Sequence, residues 1–216
     1  MSKELFYFLQ VSSTMSASFP LVLGLLKFKK ADLNIRLFII FLMIGFLTDL
    51  FGWYFYLSKN SSANVSLRFM YNLIEPVFLF WFVSQFSSHK IIKIVFAKAW
   101  IVLLPFWTIS IFYKEIFALF KTTTEVFLAF ASSFCILTLV EKQENSTSQP
   151  VFWLLIGIFF YNFCTFFFMS LVTSKMGFNL WYIHNIINII SNLIYFSGLI
   201  TIFRSSPRTV LRRPIL

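Results

Sequence analysis

The chain reads as an all-α, polytopic membrane helix bundle, with seven transmembrane helices as the expected architecture. Three observations predict it. The first is composition. Of 216 residues, 59% are hydrophobic and only 12% charged, and the mean hydropathy is +0.82. A soluble domain is about 45–50% apolar and about 25% charged, so this much apolar surface needs lipid as its solvent. The second is segmentation: the apolar residues gather into stretches of the roughly 20 residues that cross a hydrocarbon core. The third is the placement of charge. The net charge of +10 sits mainly in short connections between the apolar stretches, where it sets orientation and attracts anionic headgroups.

The seven stretches are residues 6–26, 35–57, 69–86, 94–113, 122–140, 151–174 and 180–203. Together, residues 1–203 form one transmembrane domain, followed by a basic tail at 204–216. The first stretch is the most polar. Glu4 follows Lys3 at once, and Gln10 and Ser12-Ser13-Thr14 break the apolar run. It therefore reads as a helix rather than a cleavable signal peptide. The connections are short, leaving no room for a separate soluble domain, and no internal repeat stands out. Pro150 precedes the sixth stretch, where a missing N–H costs little. Thr122 and Glu125 have the spacing of a capping box, which predicts that the fifth helix opens there and that Glu125 is a cap.

Orientation follows from Lys and Arg, which favour cytoplasmic loops. With seven spans, twelve of these residues share one side: Lys27, Lys29, Lys30, Arg36, Lys90, Lys93, Lys98, Lys142, Arg204, Arg208, Arg212 and Arg213. The six on the other side are Lys3, Lys59, Arg68, Lys114, Lys121 and Lys175. The expected orientation is N-terminus out and C-terminus in. If the first stretch does not cross, six helices remain and the N-terminus lies inside.

Ionisable side chains within a bilayer are costly and face the bundle interior. Asp49, Glu75 and His184 are the three main candidates. At a rise of about 1.5 Å per residue, Asp49 lies roughly 20 Å above the cytoplasmic start of its stretch. Glu75 lies roughly 9 Å, and His184 roughly 6 Å, below the outer starts of theirs. All three then fall in the outer half of the membrane, which predicts one outward-facing polar cavity. In the last stretch, His184, Asn185, Asn188, Ser191, Asn192 and Tyr195 share an arc of about 120°. This polar stripe is expected to turn inward, either as interhelical glue or as ligand lining. Pro76 removes the donor for the Asn72 carbonyl and is expected to kink its helix. Asn72 and Glu75, three apart, share a face. Gly45, Asp49, Gly52 and Trp53 cluster on one side of the second stretch. Gly157, Tyr161 and Thr165 repeat at four-residue spacing beside Asn162, and both sets read first as packing. The expected ligand-binding set is Asn72, Glu75, Asn162, His184, Asn185, Asn188 and Asn192. The 32 Phe residues are read as lipid-facing filler from a biased composition.

Several chemistries are disfavoured. His89 and His184 are the only histidines, too few for a membrane zinc hydrolase with converging His or acidic ligands. No lysine lies in the last stretch to carry a retinal Schiff base, and no G-x-S-x-G, Walker A or dinucleotide motif occurs. Cys135 and Cys164 fall in apolar stretches and read as small hydrophobes rather than a disulfide framework. Asn60-Ser61-Ser62 and Asn64-Val65-Ser66 match the short N-glycosylation pattern, which is common by chance. No metal, cofactor or nucleic acid is expected. The expected partners are the lipid bilayer and a membrane or cytoplasmic protein.

The segments GFLTDL (45–50), YNLIEPVFLF (71–80) and WYIHNIINIISNLIYFSG (181–198) resemble parts of small, uncharacterised seven-helix bacterial membrane proteins. The resemblance touches three of the seven stretches. It implies a bacterial inner membrane and carries no activity. Three functions follow from the residues themselves. The first is a non-enzymatic sensor or accessory protein that binds a ligand, a lipid or a partner. The second is an intramembrane lipid hydrolase or transferase, in which Asp49, Glu75 and His184 supply acid, base and orientation. The third is a small transporter.

Overall fold

A computed structural model describes residues 3–142, 146–172 and 181–204. It is 89% helical, with no strand among the described residues. The α-helices are α1 (Lys3–Ser16), α2 (Ser18–Lys27), α3 (Leu33–Leu57), α4 (Ser61–Ser84), α5 (Lys90–Ala97), α6 (Trp100–Ser110), α7 (Lys114–Lys142), α8 (Pro150–Val172) and α9 (Trp181–Arg204). Among the described residues, six helical rods are long and apolar enough to cross a membrane: Glu4–Lys27, Leu33–Leu57, Lys90–Ser110, Glu115–Lys142, Pro150–Met169 and Tyr182–Ile202. The first joins α1 to α2 across Ala17, and the third joins α5 to α6 across Lys98 and Ala99. Large apolar side chains such as Leu26, Phe130 and Ile91 stand on the outer surface at more than 70% exposure, as they do when lipid is the neighbour.

Local chemistry sets the helix ends. Asp32 caps α3 by accepting from the Ile35 N–H at 2.9 Å, and Asn60 caps α4 by accepting from the Ala63 N–H at 3.1 Å. Between these helices Lys59 takes a left-handed backbone conformation, φ 57°, that closes the tight turn. Arg36 donates to the Ala31 and Lys29 carbonyls at 2.8 and 2.9 Å, tying down the α2–α3 connection. Pro150 is the first residue of α8, as its sequence position predicted.

The two largest boundary differences from the sequence reading are at the starts of α7 and α4. The helix α7 begins at Lys114, not near Thr122. Thr122 and Glu125 therefore lie inside the helix, and the capping-box reading is wrong. The run Ile116–Phe120 continues the helix upstream because it packs Phe120 fully into the core. The helix α4 begins at Ser61, eight residues before the expected stretch, so Glu75 sits about 21 Å along its helix rather than about 9 Å. The polar residues Asn64, Ser66 and Arg68 hid this turn from a hydropathy reading.

The rods close into a ring. The α1–α2 rod packs on α3, α3 on α4, α4 on α7, α7 on α8, α8 on α9, and α9 returns to α1 and α2. The α5–α6 rod lies outside the ring against α4 and α7. At one end the interior is aromatic. Phe38 and Phe82 are fully buried, 4.9 Å apart, and Phe41 stacks on Phe78 at 4.4 Å. Tyr195 meets Phe38 edge-on at 5.2 Å. Part of the Phe content is therefore packed core, which corrects the reading of these residues as lipid-facing filler alone. Both cysteines are free thiols, and the Cys135 Sγ lies 3.6 Å from the Val83 carbonyl.

Close approach of α8 and α9 depends on Gly157. A Cβ there would lie 2.4 Å from the Tyr195 ring, which already packs against Phe38. Gly157→Ala is expected to cost about 1–3 kcal/mol by overpacking, visible as a lowered melting temperature in detergent.

Candidate functional site

At the other end of the ring the helices enclose a polar cavity of about 270 Å³. Gln10, Ser13 and Thr14 come from α1, Thr48, Asp49, Gly52, Trp53 and Tyr56 from α3, and Arg68, Tyr71, Asn72 and Glu75 from α4. Lys121 of α7, Tyr161 of α8, and His184, Asn185 and Asn188 of α9 complete the lining. The cavity lies toward the starts of α1, α4, α7 and α9 and the end of α3, so it opens on the face that carries the α3–α4 turn.

The three ionisable residues singled out from sequence, Asp49, Glu75 and His184, all border this one cavity. Asp49 and Arg68 are exposed at its mouth, while Glu75, Lys121 and His184 are half-buried farther in. Each helix places its residue for a local reason. Gly45 leaves room for the Tyr71 hydroxyl, which a Cβ would meet at 2.8 Å, and Tyr71 stacks on Phe41. The tyrosine thus rests one face on the aromatic core and borders the cavity. Trp53 donates from Nε1 to the Thr14 hydroxyl at 3.1 Å, joining α3 to α1. His184 is held between Phe168, ring centroids 5.8 Å apart, and Tyr161 at 6.2 Å.

The inward polar stripe of α9 divides into two uses. Asn188 donates to the Ser13 hydroxyl at 2.9 Å while bordering the cavity. Asn192 donates to the Ser16 hydroxyl at 2.8 Å and is not part of the cavity lining, so it joins α9 to α1. Asn185 is buried, borders the cavity, and its Nδ2 has no hydrogen-bond partner. On the outer face of the same helix, Ile186, Ile190 and Leu193 are exposed.

A smaller chamber of about 20 Å³ adjoins the cavity and shares Asn72, Glu75, Lys121 and Tyr161 with it. Its remaining walls include Pro76, Phe120, Thr124, Glu125, Leu128 and Asn162. Asn162, expected near this cluster, is here, buried at 3% exposure.

Sequence reasoning missed the basic half of the site. Arg68 and Lys121 read as loop charges, and Glu125 as a cap. The signal available was that Lys121 and Glu125 are four apart and follow an apolar run, so one continuous helix puts them on one face. Arg68 is the opposite charge acting on Asp49, and Lys121 acts on both Glu75 and Glu125. Among the described residues, none of these carboxylates closes an ion pair with Arg68 or Lys121. Asp49, Glu75, Arg68 and Lys121 border one shared space. No group of three or more His, Cys, Asp or Glu side chains suited to a metal ion occurs among the described residues.

No family model, curated protein or solved structure matches this chain. The site's own geometry therefore carries the functional argument. A second concavity, an apolar groove of about 580 Å³ between α4 and the α5–α6 rod, is lined by Leu73, Ile74, Val77, Phe78, Trp81, Ala97, Trp100 and Leu104. It has no charged side chain and sits on the outer side of α4, away from the polar cavity.

Proposed function

We propose that this chain is a non-enzymatic sensor or accessory protein that binds a small ligand bearing both charges in the polar cavity. The observation that carries this reading is the convergence of Asp49, Glu75, Arg68 and Lys121 on one cavity. Two carboxylates and two basic groups that do not neutralise one another suit a zwitterion, whose own charges can engage both kinds. The surrounding Trp53, Tyr56, Tyr71 and Tyr161 add the apolar and hydrogen-bonding surface that small-molecule sites use. A panel of amino acids, betaines and phospholipid headgroups, tested by thermal shift on the detergent-purified chain, is expected to contain stabilising members. A panel with no stabilising member overturns the reading.

In this proposal the chain crosses a bacterial inner membrane seven times, with the N-terminus outside. The seventh crossing is α4, whose polar residues lower its hydropathy because they border the cavity. Its place in the ring between α3 and α7 supports its crossing with them. Arg68 and Lys121 border the cavity and drop out of the loop count. The bias of basic residues then rises from twelve against six to twelve against four, which favours the cavity end outside. In a background carrying Cys135→Ala and Cys164→Ala, Asn60→Cys is expected to react with an impermeant thiol reagent in intact cells. Ser88→Cys should react only after permeabilisation, and the reverse pattern would refute the orientation.

The convergence of Asp49, Glu75 and His184 also suits an intramembrane lipid hydrolase or transferase, since acid, base and orienting groups border one space. Lipid mass spectrometry of membranes with and without the chain separates the two. A lipid species that changes only when the wild-type chain is present would favour the enzyme.

A further inference from the structure

The small chamber beside the main cavity has a chemistry of its own. Glu125 is 5% exposed, borders this space, and its Oε2 has no hydrogen-bond partner. Two neighbouring polar groups each direct a donor elsewhere. The Thr124 hydroxyl donates to the Lys121 carbonyl at 2.8 Å, and the Asn162 amide donates to the Ile158 carbonyl at 2.8 Å. Their oxygens remain as acceptors. Pro76, in the chamber wall, leaves the Asn72 carbonyl without its usual helical donor. The chamber thus holds several acceptor oxygens, and of its two carboxylates, Glu75 and Glu125, the single Lys121 ammonium on its wall can balance only one. Its volume of about 20 Å³ suits a group of water size. Charge points the same way. The main cavity balances two carboxylates against two basic side chains, and Glu125 adds a third carboxylate.

We propose that this chamber binds a single monovalent cation, held chiefly by Glu125, Glu75 and the Asn162 side-chain oxygen. The cation is a free alkali ion or the ammonium group of a ligand lying in the main cavity. The two have the same charge and a similar size. The proposal extends the reading of the main cavity, with which the chamber shares Glu75 and Lys121. It stands or falls on small cations alone, whatever larger ligand the cavity takes.

The test uses the full chain purified in detergent at constant ionic strength. N-methylglucamine chloride, too large for the chamber, is exchanged for sodium, potassium or ammonium chloride, and then for ethanolamine hydrochloride. A saturable rise in melting temperature is expected, of about 5 °C or more once the cation is in large excess over its dissociation constant. Glu125→Gln keeps the side-chain volume and is expected to abolish the rise. Thr124→Val, which removes one acceptor of similar size, should shift the midpoint to higher concentration. A response to sodium or potassium assigns the site to a free ion. A response to ethanolamine without one to the alkali ions assigns it to a ligand's ammonium group. No response of the wild type to any of these cations overturns the proposal even if Glu125→Gln fails to fold. A response undiminished in Glu125→Gln overturns it as well.

Discussion

Phe38→Ala is expected to destabilise the protein by about 2–3 kcal/mol. Phe38 is fully buried and meets Phe41, Phe78, Phe82 and Tyr195 within 6.4 Å. In water, truncating a buried Phe costs about 3–5 kcal/mol, part transfer and part cavity. In a membrane the transfer part largely vanishes, because lipid tails are as apolar as the core. The lost dispersion contacts of the unfilled cavity remain. Thermal denaturation in detergent should show the drop. Phe130→Ala, on the outer surface at 71% exposure, should leave the melting temperature within experimental error. Equal losses at the two positions would mean that the aromatic end is not packed as described.

The second large effect is functional. Glu75→Gln and Asp49→Asn are expected to fold with melting temperatures equal to or above the wild type, while ligand stabilisation and any deletion phenotype are lost. Each replaces a charged or titratable group that borders the cavity rather than one that fills the core. Partly buried charges that no ion pair neutralises oppose folding, so removing one relieves desolvation. At Glu75 the amide keeps the shape and removes the charge. Removing a charge complementary to the ligand costs roughly tenfold or more in affinity. Thermal shift with a stabilising ligand from the screen, measured beside ligand-free melting, separates the two effects. If the variants melt early without ligand and express poorly, the polar cluster is helix glue and the ligand reading fails.

The contrast between Asn188 and Asn192 shows how far a single helix can be read. Both lie on the inward stripe of α9, and their spacing alone assigns them the same role. Yet Asn188 borders the cavity while reaching Ser13, and Asn192 is committed to Ser16 one turn away. What separates them is the partner on α1, since Ser13 lines the cavity and Ser16 does not, a feature of a different part of the chain.

What the sequence by itself determined is local and periodic. Stretches of apolar residues named the membrane as solvent and placed most helices within a few residues. The rarity of charge inside those stretches singled out Asp49, Glu75 and His184. The 3.6-residue period turned the polar stripe of α9 inward, with Ile186, Ile190 and Leu193 on the outer face. Only the tertiary structure decided the rest. It closed the ring, carried α7 upstream to Lys114, brought Arg68 and Lys121 to the cavity that the three candidates share, and set Glu125 in the chamber beside it. It also sorted buried Phe38 and Phe82 from lipid-facing Phe130. The physical reason is that hydropathy cannot distinguish a phenylalanine facing lipid from one facing another helix, since both surroundings are apolar. A charge near a helix end likewise reads the same whether it faces water outside or a cavity inside. In both cases the difference lies in the neighbour across the gap, which contacts distant in sequence supply.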